Sequence, residues 1–291
     1  MFINKSLTVK IKIILCYNVT TNIIVRRVDK LMKNKPLTPD SLLKFKKFFY
    51  KDSLVSRFKA ITDSSNQKIY YEYVPSKLEI ELIKAIATEK SKHTNSHSQD
   101  DKIRSDDEKK NKQFEGCLAE LAVAKFLVHI LGESPQNVEV YDAVRPNFEY
   151  VSKEEYDIKV SKNGITKKCE VRNSWSYKTN IFEFCSNSDV IGKYTNSTKH
   201  SEELADFFIR PVLQLNTINL NLKQPPKNAI ELIETGEAKL YIVAACTQEE
   251  MKTLGKENKQ MTRNSTKFFC TKINRLDSIS NFKIKYDKLF N

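Results

Sequence analysis

The chain has 291 residues, 40% of them hydrophobic and 29% charged, which excludes a disordered polymer and leaves room for one large domain or a core domain with an appendage. Its net charge of +13 is uneven: residues 1–60 carry 14 Lys/Arg against 3 Asp/Glu, residues 251–291 carry 10 against 3, and residues 61–250 carry 25 against 30. Basic ends around a mildly acidic middle suit a protein that grips a polyanion with its flanks and holds carboxylates at its centre. A chain rich in Lys, Asn and Ile throughout also acquires surplus lysine with no partner in view.

Along the chain, "LTVKIKIILCYNVTTNIIV" is apolar, but Lys10 and Lys12 interrupt it and no small-residue cleavage site follows. It reads as a strand pair, or as leader sequence upstream of a start at Met32. No segment reaches the roughly 20 apolar residues that span a bilayer, so a cytoplasmic protein without membrane contact is expected. The stretch "PLTPDSLLKFKKFFYKDSLVSRFKAI" opens on a helix start signal, and Leu42, Leu43, Phe45, Phe49, Leu54 and Phe58 carry a helical apolar pattern. "KIYYEYV" (68–74) alternates as a strand, and "PSKLEIELIKAIATEK" is an amphipathic helix. Residues 91–113 are almost wholly polar and read as a linker. The expected layout is a basic, mostly helical region over 1–90, this linker, and an α/β domain over 114–291.

The six cysteines (Cys16, Cys117, Cys169, Cys185, Cys246, Cys270) form no C-x-x-C pair and lie partly in apolar runs, as buried free thiols in a reducing compartment do. His93 and His97 lack the glutamate of a metalloprotease helix and read as solvated loop. "FEGCLAELAVAKFLVHILGE" is an apolar helix ending at Gly132. Glu120 lies well over 100° around it from Lys125 and His129, among alanines, leucines and Cys117. A buried carboxylate must find a cation or donors. That cation is a metal at an active site or a core arginine, unless the helix edge is wet.

Six short β-branched or aromatic runs follow as strands: "NVEVYD", "EYDIKVSK", "ITKKCEVRN", "IFEFCS", "DFFIRPVLQL" and "KLYIVAACT". Helices are expected at "NAIELIETGE" and "QEEMKTLG", on either side of the last strand. The order implies an α/β or α+β fold, a sheet with helices packed against it.

Asn163-Gly164 between alternating residues is a strong hairpin signal, because a type I′ turn needs positive φ at both central positions. A two-residue turn there pairs Lys162 with Ile165 and sets Asp157 directly across from Glu170, with Arg172 on the same face. Tyr156, Ile158, Val160, Cys169 and Val171 take the other, apolar face. Two carboxylates about 5 Å apart repel by roughly 3 kcal/mol at an effective dielectric near 20. Diagonal contacts from Lys159 and Lys168, or a divalent cation between the carboxylates, would offset that repulsion.

The helix with Glu120, the strand with Asp157 and the following "CEVRNSW" with Glu170 and Arg172 resemble, over roughly residues 112–246, the PD-(D/E)XK nuclease superfamily. The resemblance implies a restriction-endonuclease-like mixed sheet flanked by helices. It further implies a Mg²⁺-dependent endodeoxyribonuclease of the type II restriction or phage-defence kind. In that reading Asp157, Glu170 and the Val171 backbone carbonyl hold Mg²⁺, and Glu120 orients the attacking water or supports a second ion. Basic N- and C-terminal regions contact DNA phosphates, and a homodimer would place one site on each strand. Tyr156 stands where proline is usual, and Arg172 where lysine is usual. Arginine stays protonated, so Arg172 stabilises charge and cannot act as a base. Lys159 and Lys168 are candidate substitutes. The alternative is a catalytically inactive nucleic-acid-binding relative of the same fold. Trp175 and Tyr177, just past the strand, are candidates for nucleotide contact or, more simply, core.

Overall fold

The computed structural model describes residues 57–94, 103–144, 156–176, 178, 180–195, 203–216, 226, 228–259 and 267–291. The expected N-terminal strand pair, the start at Met32, most of the helix expected over residues 36–61, His97 and Tyr177 lie outside them.

Phe58–Asp63 (β1) is a strand, although Phe58 was expected to end a helix. It pairs antiparallel with Lys68–Tyr73 (β2) from Phe58↔Tyr73 to Asp63↔Lys68. Turn chemistry decides this: the Asp63 carboxylate accepts from Ser65 N at 3.0 Å and Asn66 Nδ2 at 2.7 Å, and Gln67 takes φ 52°. Ser76 then caps Lys77–Ser91 (α1) through a reciprocal box with Glu79.

The next helix, Asp106–His129 (α2), starts eight residues inside the part of the sequence expected as linker. Ser105 Oγ accepts from Glu108 N at 3.2 Å, and the Glu108 carboxylate accepts from Ser105 N at 3.1 Å. The first two turns are polar because they face water; the buried stretch from Phe114 onward is the part whose apolar pattern was legible. Gly132, at φ 72°, follows the helix end.

Val138–Val140 (β3) leads into a single helical turn, Tyr141–Val144 (α3). Ile158–Lys162 (β4), Ile165–Val171 (β5) and Ser174–Ser176 (β6) follow. "IFEFCS", expected as a strand, is the helix Ile181–Asn187 (α4). Asn180 Oδ1 caps it by accepting from Glu183 N at 2.8 Å, and buried Ile181, Phe184 and Cys185 sit at helical spacing. Asp189–Tyr194 (β7), Phe207–Leu215 (β8), Ala229–Glu234 (α5), Ala238–Thr247 (β9) and Gln248–Leu254 (α6) come next. Lys256–Lys259 (β10), Lys267–Lys272 (β11) and Phe282–Lys288 (α7) complete the described chain.

Among the described residues the main sheet runs β1-β2-β9-β8-β5-β4-β3, with β6 also on β8, and a second sheet runs β10-β11-β7. β5 and β6 are parallel to β8; the other pairs are antiparallel. The protein is thus a mixed α/β fold whose mostly antiparallel sheet is flanked by helices. Residues 58–73, expected within the basic N-terminal region over 1–90, enter the same sheet as β1 and β2, through β2 on β9.

Both faces of the main sheet are covered, which is why β8 and β9 are apolar almost throughout. One face packs Ile158, Val160, Cys169, Phe207 and Ile209 into a core with Leu118, Leu121 and Phe126 of α2 and Phe282 and Tyr286 of α7. The other packs Phe208, Val212 and Val243 with Phe184, Val190 and Met251. Cys117, Cys169, Cys185, Cys246 and Cys270 are free and buried. No helix among the described residues is long and apolar enough to cross a membrane.

Candidate active site

The β4–β5 hairpin turns at Asn163 (φ 53°) and Gly164 (φ 78°), and the ladder runs from Lys162↔Ile165 through Lys159↔Lys168 to Ile158↔Cys169. This is the register read from the Asn-Gly pair. The ladder stops one residue short of Asp157. There the side chain takes over from the backbone, and Asp157 Oδ2 accepts from Val171 N at 2.7 Å. The Asp157 carbonyl accepts from Tyr141 N at 3.0 Å, tying the strand start to α3. Val171 N–H is therefore answered by a carboxylate, a stronger acceptor than the carbonyl a longer strand would have offered.

Glu170 lies on β5 and Arg172 just past its end, with Arg172 Nη2 2.8 Å from Glu170 Oε1. The Arg172 guanidinium also stands 4.5 Å over the ring of Tyr194 on β7. A cation over an aromatic face, paired to a carboxylate, is held in place from two sides. The Glu170 carboxylate is thus paired with Arg172. Lys159 turns away, with Nζ 2.6 Å from Glu139 Oε1 and 4.9 Å from the Tyr156 ring.

Asp157, Glu170, Val171 and Arg172 line one cleft of about 1210 Å³, together with Lys168 and Tyr194. Asp206, which also lines the cleft, accepts from Lys168 N at 2.8 Å and lies 3.2 Å from Lys167 Nζ. Glu203 and Gln248 also border it.

Glu120 is not among the residues lining this cleft. It sits on α2, 8% exposed, and α2 packs on the sheet face that holds Cys169. Successive residues of a strand point to opposite faces, so Glu170 and Arg172 project from the other side. The helix reaches the site differently: Asn173 Nδ2, beside Arg172, donates to the Glu115 carbonyl at 3.0 Å. Burial pushes the Glu115 carboxyl above its usual range against the pull of Lys112. Trp175, 4% exposed, belongs to the core.

Among the described residues no three His, Cys, Asp or Glu side chains cluster as a metal-binding group. The chemistry of Asp157 and Glu170 nonetheless fits Mg²⁺, which takes one or two carboxylates and fills its remaining positions from water and phosphate. For Glu170 to give both oxygens, its pair with Arg172 must open.

Sequence reasoning missed Tyr194, Asp206 and Arg210. A clear signal existed for Arg210, a lone charge ahead of proline inside the apolar run "FFIRPVLQL". Fully buried on β8, its guanidinium donates through Nη1 to the Arg172 carbonyl and through Nη2 to Ser174 Oγ at 2.9 Å. Burial lowers its pKa to about 10.

The basic C-terminal region, expected to contact phosphates, spends much of its charge within the fold. Lys285 lies 2.5 Å from both Glu250 and Asp277, Lys283 lies 2.7 Å from Asp287, and Lys272 lies 3.1 Å from Asp189.

The chain is 25% identical over 182 residues to an uncharacterized protein of Methanocaldococcus jannaschii, a match covering 56% of this chain and 65% of that protein. The match thus spans less than two thirds of the relative's length. No family model matches the chain, and no solved structure does.

Proposed function

We propose that the chain is a Mg²⁺-dependent endonuclease that hydrolyses DNA phosphodiester bonds, with a restriction-endonuclease-like fold and a restriction or phage-defence role. The observation that carries this reading is the single cleft lined by Asp157, Glu170 and Arg172, which descend from one hairpin in a fixed register. The resemblance to PD-(D/E)XK nucleases rests on the same three residues together with Glu120 on the preceding helix, which does not line the cleft.

When bound, Mg²⁺ supplies a Lewis acid that polarises the phosphate and acidifies a water. Asp157, Glu170 and the Val171 carbonyl are the groups that hold it. The Val171 N–H fixes the Asp157 carboxylate before any ion arrives, so little ordering is left for the moment of reaction. Arg172 stays cationic and faces the charge that builds on the phosphoryl oxygens. Lys168, exposed at the cleft mouth, adds positive charge for the DNA backbone. Two copies related by a two-fold axis would cut both strands.

One observation favours a second reading, an inactive relative that only binds nucleic acid: Glu170 is already engaged by Arg172 at 2.8 Å. Supercoiled plasmid incubated with the protein in Mg²⁺ or in EDTA separates the two. Nicked or linear product in Mg²⁺ alone supports the nuclease. Intact plasmid that is retarded on a gel, less so as salt rises, supports the binder. Neither cleavage nor retardation refutes both.

A further inference from the structure

The β5 and β6 strands are one strand with an interruption. Val171↔Ile209 and Ser174↔Val212 keep the same offset along β8, so Arg172 and Asn173 face Arg210 and Pro211 across the break. Proline has no N–H to offer a neighbouring strand. On the other side of β8, the pairing with β9 shifts by a residue at the same place, between Arg210 and Pro211. The sheet is therefore loosened on both sides of β8 where Arg172 must be held steady.

Arg210 fills this gap. Its two terminal nitrogens reach the carbonyl of Arg172 and the hydroxyl of Ser174, the residues at either end of the interruption. The side chain is 4% exposed and its Nε has no hydrogen-bond partner. Burying a guanidinium with one donor unanswered is costly, and an apolar side chain of similar volume would fill the space without that cost. The same buried arginine is explained if it fixes the backbone that aims Arg172 into the cleft.

We propose that Arg210 is a positioning residue, whose fork bridges Arg172 and Ser174 and holds the interrupted strand so that the Arg172 guanidinium points at the substrate phosphate. The catalytic part of this inference rests on the nuclease reading; the part concerning strand geometry does not.

The test compares the wild-type chain with Arg210→Lys and Ser174→Ala. Lysine keeps the charge but cannot reproduce a planar two-pronged contact. Ser174→Ala removes one of the two acceptors and leaves the buried charge alone. Three quantities are read: melting by circular dichroism, kcat and KM for DNA, and acrylamide quenching of Trp175, the sole tryptophan and the next residue after Ser174. Arg210→Lys is expected to melt with the wild type and to lose kcat by about 10–100-fold, as loss of a supporting contact around a site commonly does, with KM unchanged. Quenching of Trp175 rises in the same variant, and Ser174→Ala shows the same pattern at smaller amplitude. Full kcat in Arg210→Lys, or a loss of kcat that tracks loss of folded protein, overturns the proposal. Should the wild type fail to cleave DNA, the nuclease reading fails, and quenching alone judges Arg210. A rise in Arg210→Lys then upholds the strand-bridging role, and unchanged quenching refutes it.

Discussion

Asp157 performs two tasks that substitution can pull apart. Its Oδ2 accepts from Val171 N at 2.7 Å, a structural bond, and its charge serves the proposed ion site. Asp157→Asn and Asp157→Ala both remove the charge, so both relieve repulsion from Glu170 equally. The Asn variant keeps an oxygen for Val171 N–H, whereas the Ala variant leaves that half-buried donor to scarce water. The difference between the two variants therefore reports the loss of the side-chain contacts at position 157, the bond to Val171 N among them, at about 1–2 kcal/mol for a half-buried position. Urea unfolding with a common slope resolves a difference of that size. Cleavage of plasmid is expected to fall at least about 100-fold in both, because a neutral amide cannot replace a carboxylate ligand. Equal stability of the two variants would refute the structural role. Cleavage by Asp157→Asn at the wild-type rate would refute the chemical one.

Three other outcomes follow from the same structure. Arg172→Lys retains cleavage within about tenfold, since a cation is kept, whereas Arg172→Met loses at least about 100-fold, each read as kcat on plasmid. Burial alone would raise the Glu133 carboxyl, but donation from Asn137, Ser134 N and Tyr286 and the charge of Lys162 outweigh it and hold the group below the ordinary 4.5. Its folded-state value thus lies under the unfolded one, so its contribution is full above about pH 4.5 and is lost as pH falls through the lowered value. Melting curves of Glu133→Gln should accordingly show a shallower acid loss than wild type. Gly255→Ala places a Cβ 2.2 Å from the Met251 carbonyl and 2.6 Å from Phe269 Cε1, and thermal melts should show a loss of about 1–3 kcal/mol from overpacking.

What could be read from the sequence was whatever a local rule determines. Asn163-Gly164 fixed the hairpin register because a two-residue turn leaves one pairing and side chains alternate by twos. The apolar runs gave β8, β9 and the buried part of α2, since each is covered on nearly every side. "IFEFCS" misled because four apolar and aromatic residues among six suit a short strand or a short helix. The Asn180 cap and the packing of Phe184 chose the helix. The start of α2 hid in a polar stretch, although Ser105 and Glu108 carried the capping-box spacing. The small sheet of β7, β10 and β11 was not legible, because β7 joins β11 across more than 70 residues of sequence and β10, the near neighbour of β11, is polar throughout.

The site was legible in part for the same reasons. Asp157, Glu170 and Arg172 shared a hairpin, so parity alone placed them together. Glu120 belonged to a helix whose side of the sheet no local pattern specified, and α2 packs beneath Cys169, opposite Glu170. Tyr194 enters from β7, and Asp206 from the residue before β8, both remote in sequence from the hairpin. Arg210 was visible only as an oddity, a charge inside a buried strand.

The most direct trial of the whole account is a side-by-side digestion of supercoiled plasmid by wild type and Glu170→Ala in Mg²⁺. The account predicts nicked and linear DNA with the wild type and intact plasmid with the variant, both proteins being folded by circular dichroism. Equal cleavage by the two would show that the chemistry lies elsewhere and remove the hairpin carboxylates from the reaction.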